Sequence, residues 1–160
     1  MVLDTENREK KRLEALYATG LLDSPPIPAV DALVAELAKH YGTFSSVVTV
    51  VDQHRRHVLS ALNFDYTSIS IDTGWTYPYL LERNLPVIIS DCTQHSIYGN
   101  APFVLSGEIR FLAFAAYSTK EHYRIGNIAI ADPKPRDDFS LQDADYLVQA
   151  ARKLESILGI

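Results

Sequence analysis

The stretch IRFLAFAAYSTKEHYRIGNIAIAD, Ile109–Asp132, decides the fold class. Arg110 to Ser118 and Arg124 to Ala131 are rich in apolar and aromatic residues, and both read as strands. The polar run Thr119-Lys120-Glu121-His122-Tyr123 joins them, so the pair reads as antiparallel. Gly126 lies inside the second strand, where it signals a bulge or a close backbone approach. Downstream, Pro133-Lys134-Pro135-Arg136 is a rigid connection. Ser140 then caps a last helix with Asp143 at the third position as its acidic partner. That helix runs to about Leu158.

Upstream, a first helix is predicted over Asp4–Tyr17, with Thr5 as its cap and only Leu13 and Leu16 strongly apolar. It ends near Gly20, before the turn Leu21–Pro26. A second helix runs from Pro28 to Tyr41, because Val30, Leu33, Val34, Leu37 and Tyr41 recur on one face. Phe44–Val51 and His57–Leu62 read as a strand hairpin around the polar turn Asp52–Arg56. Residues 63–100 are less regular, with a short helical piece ending over Leu80–Arg83 and a short strand at Pro86–Ser90. Irregular chain of this length in a compact domain is usually functional or disordered. The element order gives an α+β fold with a central antiparallel sheet. The chain reads as one domain over 1–160: helix and turn over 1–27, sheet and pocket core over 28–139, and the C-terminal helix over 140–160.

Composition narrows the function classes. Hydrophobic residues make up 47% of the 160 and charged residues 22%, which excludes general disorder. The net charge of −5 argues against a nucleic-acid binder, which needs a cationic surplus. No apolar run approaches a membrane span, and the charged N-terminal stretch lacks the apolar core of a secretory signal. A cytoplasmic location is expected. Cys92 is the sole cysteine, so no disulfide forms within the chain. It reads as a small packing residue, since a reactive thiolate needs a positive neighbour. His40, His95 and His122 lack paired ligand spacing, and no metal site is expected. There is no nucleophile elbow and no phosphate-cradling loop. The run His54-Arg55-Arg56-His57 reads as a solvated turn.

Several segments, taken in order, resemble the GAF domain family, in the bacterial sensory type found ahead of histidine kinase or diguanylate cyclase modules. They are Gly20–Pro26, Val47–Asp52, Pro86–Asp91, Ile109-Arg110-Phe111 with Ala113 and Ala115, and Gly126–Asp132 followed by Pro135-Arg136 and Phe139-Ser140. The resemblance spans nearly the whole chain. It implies a central antiparallel sheet with N- and C-terminal helices packed on one face and a loop-covered pocket on the other. It also implies a non-enzymatic sensor of a small molecule, or alternatively a ligand-free dimerisation scaffold. Fold alone does not choose between them.

The departures from the family pattern carry more information. Relatives with "S-F-C-A-H" in the middle helix align with Gly74-Trp75-Thr76-Tyr77-Pro78. Thr76 stands at the cysteine position and Pro78 at the histidine position. A covalently attached bilin is therefore not expected, and no other cofactor is implied. The cyclic-nucleotide pattern of the family is absent. Reductases of free methionine sulfoxide with this fold use several cysteines, and one cysteine excludes a resolving disulfide within the chain.

Trp75, Tyr77, Tyr79 and Tyr98 form an aromatic group with polar tips, suited either to wall a ligand or to fill the core. Arg110 has two readings. It clamps a ligand carboxylate or phosphate, or it pairs with Asp91 or Glu108 to hold the loop onto the sheet. Asp91 shares this ambiguity, and Asn100 either caps a turn or touches ligand. The candidate ligand set is thus Trp75, Tyr77, Tyr79, Asp91, Tyr98, Asn100 and Arg110. In the last helix Ala144, Leu147, Ala151, Leu154 and Leu158 form a seam of coiled-coil type. Val148 and Ile157 widen the stripe, so one side can pack on the sheet and the other on a second subunit; the alternative is an ordinary amphipathic helix against its own domain. Terminal-helix pairing in the family makes a homodimer the expectation, with a histidine kinase or cyclase module as signalling partner.

Overall fold

The computed structural model describes residues 2–70 and 86–160. Four helices are described: α1 (Val2–Thr19), α2 (Pro28–Tyr41), α3 (Pro102–Leu105) and α4 (Leu141–Leu158). The strands are β1 (Ser45–Val51), β2 (Arg55–Leu62), β3 (Ser68–Ser70), β4 (Val87–Ile89), β5 (Phe111–Ser118) and β6 (Arg124–Asp132). They form one sheet in the order β3-β2-β1-β6-β5-β4, with every neighbouring pair antiparallel. Among the described residues no helix is long and apolar enough to cross a membrane.

The sheet has two buried faces, and strand alternation divides the residues between them. Val48 and Val50 of β1, Ile128 and Ile130 of β6, and Phe111, Ala113 and Ala115 of β5 point to one face. There they meet Leu16 of α1, Val30, Leu33, Val34, Leu37 and Tyr41 of α2, and Leu147, Ala151 and Leu154 of α4. The apolar face expected for α2 is thus the face it buries. The helix stops at Gly42, whose φ of 65° is reached cheaply only without a Cβ.

The second face meets a smaller layer. Ile69, Val87, Ile89, Cys92, Tyr98, Phe103, Val104 and Ile109 cluster there with Leu112, Phe114 and Ala131 of the sheet. Two short 3-10 turns, Cys92–Gln94 and Tyr98–Asn100, lead into α3 and build part of this cover. The expected architecture of helices on one face and loops on the other is therefore present.

Local chemistry fixes the helix ends. Ser140 Oγ accepts from the Asp143 backbone N–H at 3.0 Å, and an Asp143 carboxylate oxygen accepts from the Ser140 N–H at 2.8 Å. This is the capping box expected from the sequence. Helix α1 begins at Val2, ahead of the Thr5 expected as cap. Its docking was also not foreseen: Arg12 is buried and donates to the carbonyls of Val51 at 2.9 Å and Arg124 at 3.2 Å. Glu9 accepts from the other side of the guanidinium at 2.8 Å, so the buried charge is paired.

The seam on α4 corrects one expectation. Leu147, Ala151 and Leu154 are wholly buried against their own sheet, and Leu158 packs on the same core. Ala144 is half-buried. The spacing that suggested a subunit contact is the ordinary spacing of an amphipathic helix on its own domain. Leu147, Ala151 and Leu154 therefore have no surface left for a second copy, while Ala144 and Leu158 stay partly exposed.

Candidate functional site

Between the sheet's second face and its cover lies a cavity of about 30 Å3. That is room for roughly two waters or a few heavy atoms. Its described lining comes from several strands. Ser45, Val47 and Thr49 of β1, Asn127, Ala129 and Ala131 of β6, and Leu112 and Phe114 of β5 form the sheet side. Phe64, Ile69, Ile109 and Arg56 close it.

The polar part of this lining is buried. Arg56 is 4% exposed, Asn127 3% and Thr49 5%. Thr49 and Asn127 stand opposite each other in the β1–β6 register, so both side chains leave the same face. Thr49 Oγ1 and Asn127 Oδ1 have no hydrogen-bond partner among the described residues. A buried polar atom left in this state costs about 1–3 kcal/mol. Burial lowers the Arg56 guanidinium to about 10, and the neighbouring Tyr98 acts in the opposite direction. At neutral pH Arg56 therefore remains cationic. The result is one cation and three hydrogen-bonding side chains in an otherwise apolar chamber, of which Ser45 already donates to the Ala131 carbonyl at 3.2 Å.

Sequence reasoning placed Arg56 in a solvated turn. The strand β2 starts at Arg55, so Arg56 is already in the ladder, opposite Val51 on one side and Ile69 on the other. An arginine-rich run between strands looks like a turn, and only the strand pairing turns one of its side chains inward. Thr49 and Asn127 were not singled out either. A usable signal existed: Thr49 lies between Val48 and Val50, and Asn127 interrupts the run from Ile125 to Ala131.

The sequence-derived candidates fall elsewhere. Trp75, Tyr77 and Tyr79 lie outside the described residues, as do Thr76 and the helical piece over Leu80–Arg83. Asp91 and Arg110 pair with each other: Arg110 Nε donates to Asp91 Oδ1 at 3.2 Å and Nη2 to Oδ2 at 2.5 Å. The Cys92 N–H donates to the Arg110 carbonyl, which ties the same two segments by backbone. The Asp91 carboxyl is held down to about 2, first by Arg110 and then by Thr93. This is the loop-fastening arrangement, one of the two readings given for the pair. Neither residue lines the cavity. Asn100 is exposed at the end of a 3-10 turn. Tyr98 is wholly buried in the second core, 6.3 Å from the Phe114 ring in an edge contact.

Gly126 does mark a close approach. Tyr117 of β5 reaches across it, and its hydroxyl donates to the Thr49 carbonyl at 2.9 Å. A Cβ on Gly126 would lie 1.9 Å from that carbonyl oxygen and 2.7 Å from the Tyr117 ring. The glycine thus lets β5 brace β1 at the residue whose side chain enters the cavity.

Cys92 is wholly buried, and burial together with Asp91 pushes its thiol up to about 12. Among the described residues no group of three or more His, Cys, Asp or Glu is placed to hold a metal ion.

Neither a family model nor a curated protein matches the chain. Solved structures do. The GAF domain of a phosphoenolpyruvate-protein phosphotransferase from Coxiella burnetii superposes with a TM-score of 0.69, over 92% of each chain, at 13% identity. The chain has the GAF fold. A GAF domain region of a putative membrane protein from Geobacter sulfurreducens covers 98% of each chain, with a TM-score of 0.67 at 14% identity. The GAF fold also includes a free methionine-R-sulfoxide reductase from Neisseria meningitidis, solved with its substrate. It has a TM-score of 0.64 at 16% identity, over 92% of this chain and 88% of that one. At these identities the likeness speaks for the fold.

Proposed function

We propose that this GAF domain is a non-enzymatic sensory module that holds a small molecule, without a covalent link, in the cavity between the sheet and its cover. The observation that carries the reading is the pairing of Thr49 and Asn127. Two buried side-chain oxygens without hydrogen-bond partners among the described residues face a void that Arg56 also lines. A ligand that supplies their hydrogen bonds recovers free energy that the empty domain forgoes. Thr76 at the family's thiol position argues for reversible binding. Signalling to a partner such as a histidine kinase module runs through the terminal helices, which pack on the opposite face of the same strands. One solved neighbour is a domain of a putative two-component sensor histidine kinase, which accords with this partner class.

The reductase neighbours raise an enzymatic alternative. The state of Cys92 weighs against it, since a buried thiol raised to about 12 offers almost no thiolate at neutral pH.

A thermal-shift screen of small metabolites tests the proposal, with Ala129→Leu as control because Ala129 lines the cavity. At least one compound should raise the melting temperature of the natural chain in a saturable way. The variant should stay folded and lose that response. A screen without any saturable hit, or hits that persist undiminished in Ala129→Leu, contradicts the reading.

A further inference from the structure

We propose that the molecule taken by this cavity is a short-chain alcohol, its hydroxyl lodged between Thr49 and Asn127 and its few carbons against Val47, Leu112 and Phe114. The inference rests on the reading above and narrows it to one chemical class.

The two orphaned oxygens set the hydrogen-bonding demand. Asn127 Oδ1 is an acceptor and calls for a donor, whereas the Thr49 hydroxyl can donate or accept. Both side chains belong to the cavity lining, and the two residues are only 3% and 5% exposed. They stand directly opposite each other on antiparallel strands. That register holds the two Cβ atoms about 4.5–5.5 Å apart. One hydroxyl oxygen between the pair reaches both, donating its proton to Asn127 Oδ1 and accepting from the Thr49 hydroxyl. Thr49 is also held in place, because the Tyr117 hydroxyl donates to its carbonyl at 2.9 Å. The other polar groups of the lining are already engaged. Ser45 Oγ donates to the Ala131 carbonyl at 3.2 Å. Arg56 has an interaction of its own, so recognition does not run through its guanidinium.

Other ligand classes meet this demand less well. A carboxylate or a ketone brings no donor for Asn127 Oδ1. An ammonium needs an anion or a full set of acceptors around it, and none of the described lining residues is acidic. A primary amide answers both oxygens but carries a further N–H into an apolar chamber without an acceptor for it. A hydrocarbon leaves both oxygens unanswered. Water matches the hydrogen bonds but gains nothing from the aliphatic and aromatic remainder of the lining.

Size sets the chain length. A void of about 30 Å3 has room for a hydroxyl and roughly two or three carbons. Sugars, nucleotides and long-chain alcohols are excluded unless the cover opens.

The test is a methyl-resolved NMR titration of the whole chain with probes of one shape and one heavy-atom count: propan-2-ol, acetone, acetamide and acetate. Propan-2-ol should shift the Val47 and Leu112 methyl resonances saturably and bind at least about tenfold more tightly than acetone, the value of one well-placed hydrogen bond. Asn127→Leu should erase that advantage, because the group that needs the alcohol's proton is gone. Thr49→Val should weaken propan-2-ol and acetone alike, and Thr49→Ser should restore both. Should Asn127→Leu fail to fold, the ranking of the probes on the natural chain decides alone. Acetone, acetamide or acetate binding as tightly as propan-2-ol overturns the alcohol class while leaving the cavity a ligand site. Shifts that grow linearly with propan-2-ol and never saturate show a chamber filled by water alone and overturn the class as well; a saturable hit in the broader metabolite screen then keeps the cavity reading. Silence from these probes and from that screen together overturns both.

Discussion

Thr49 and Asn127 face each other across neighbouring strands and bury two side-chain oxygens that no described group satisfies. In a region built only for stability, that arrangement is a loss. Replacing Thr49 by valine keeps the shape and removes one unsatisfied hydroxyl. Thr49→Val should therefore raise the stability of the ligand-free domain by about 1 kcal/mol, measured by urea unfolding. A fall in stability would show that the hydroxyl already has a partner of its own.

Tyr117 reaches the Thr49 carbonyl only because Gly126 has no side chain. A methyl group there meets backbone oxygen at 1.9 Å, which no rotamer change relieves. Gly126→Ala should cost upwards of about 3 kcal/mol, seen as a large drop in melting temperature or loss of soluble protein. Tyr117→Phe should cost less, about 1 kcal/mol, since the ring stays in place.

Leu154 lies in the core formed by α4 and the sheet. Leu154→Ala should destabilise the fold by about 2–5 kcal/mol and leave the oligomeric state unchanged in analytical ultracentrifugation. A change of oligomeric state at unchanged stability would restore the subunit-seam reading of this helix.

Asp91 is held at about 2 by Arg110 and Thr93, against about 3.9 for an unfolded aspartate. A depressed folded value stabilises the native state above the unfolded value, and that contribution is lost as the pH falls from about 4 towards about 2. Asp91→Asn should thus melt below the natural chain at pH 6, and the gap should close over that acid window. The pair is partly exposed, so the gap should also shrink with added salt.

Cys92 should resist alkylation by iodoacetamide in the native state at pH 8 and react fully once unfolded. Rapid native labelling would reopen the reductase alternative.

The framework was legible wherever local chemistry decides structure. The face of α2, the Ser140–Asp143 box and the Gly126 approach all follow from residue type and spacing. The short strand Ser68–Ser70 escaped because three residues carry too little alternation to be read. The chamber escaped for a deeper reason. Arg56 enters its lining through strand pairing with Val51 and Ile69, and Asn127 reaches the same lining from β6, far along the chain. The Asp91–Arg110 tie was foreseen as one of two options, and its geometry is that of a fastener for the Cys92 turn. The seam on α4 misled because a helix packed on a sheet and a helix packed on its twin show the same apolar repeat.

The most direct measurement is a methyl-resolved NMR titration of the natural chain with the tightest binder from the metabolite screen. The account predicts saturable shifts at Val47, Ile69 and Leu112, which line the chamber, and smaller ones at Leu147 and Leu154 behind the sheet. Shifts confined to the outer surface, with the chamber methyls unmoved at saturation, would contradict it.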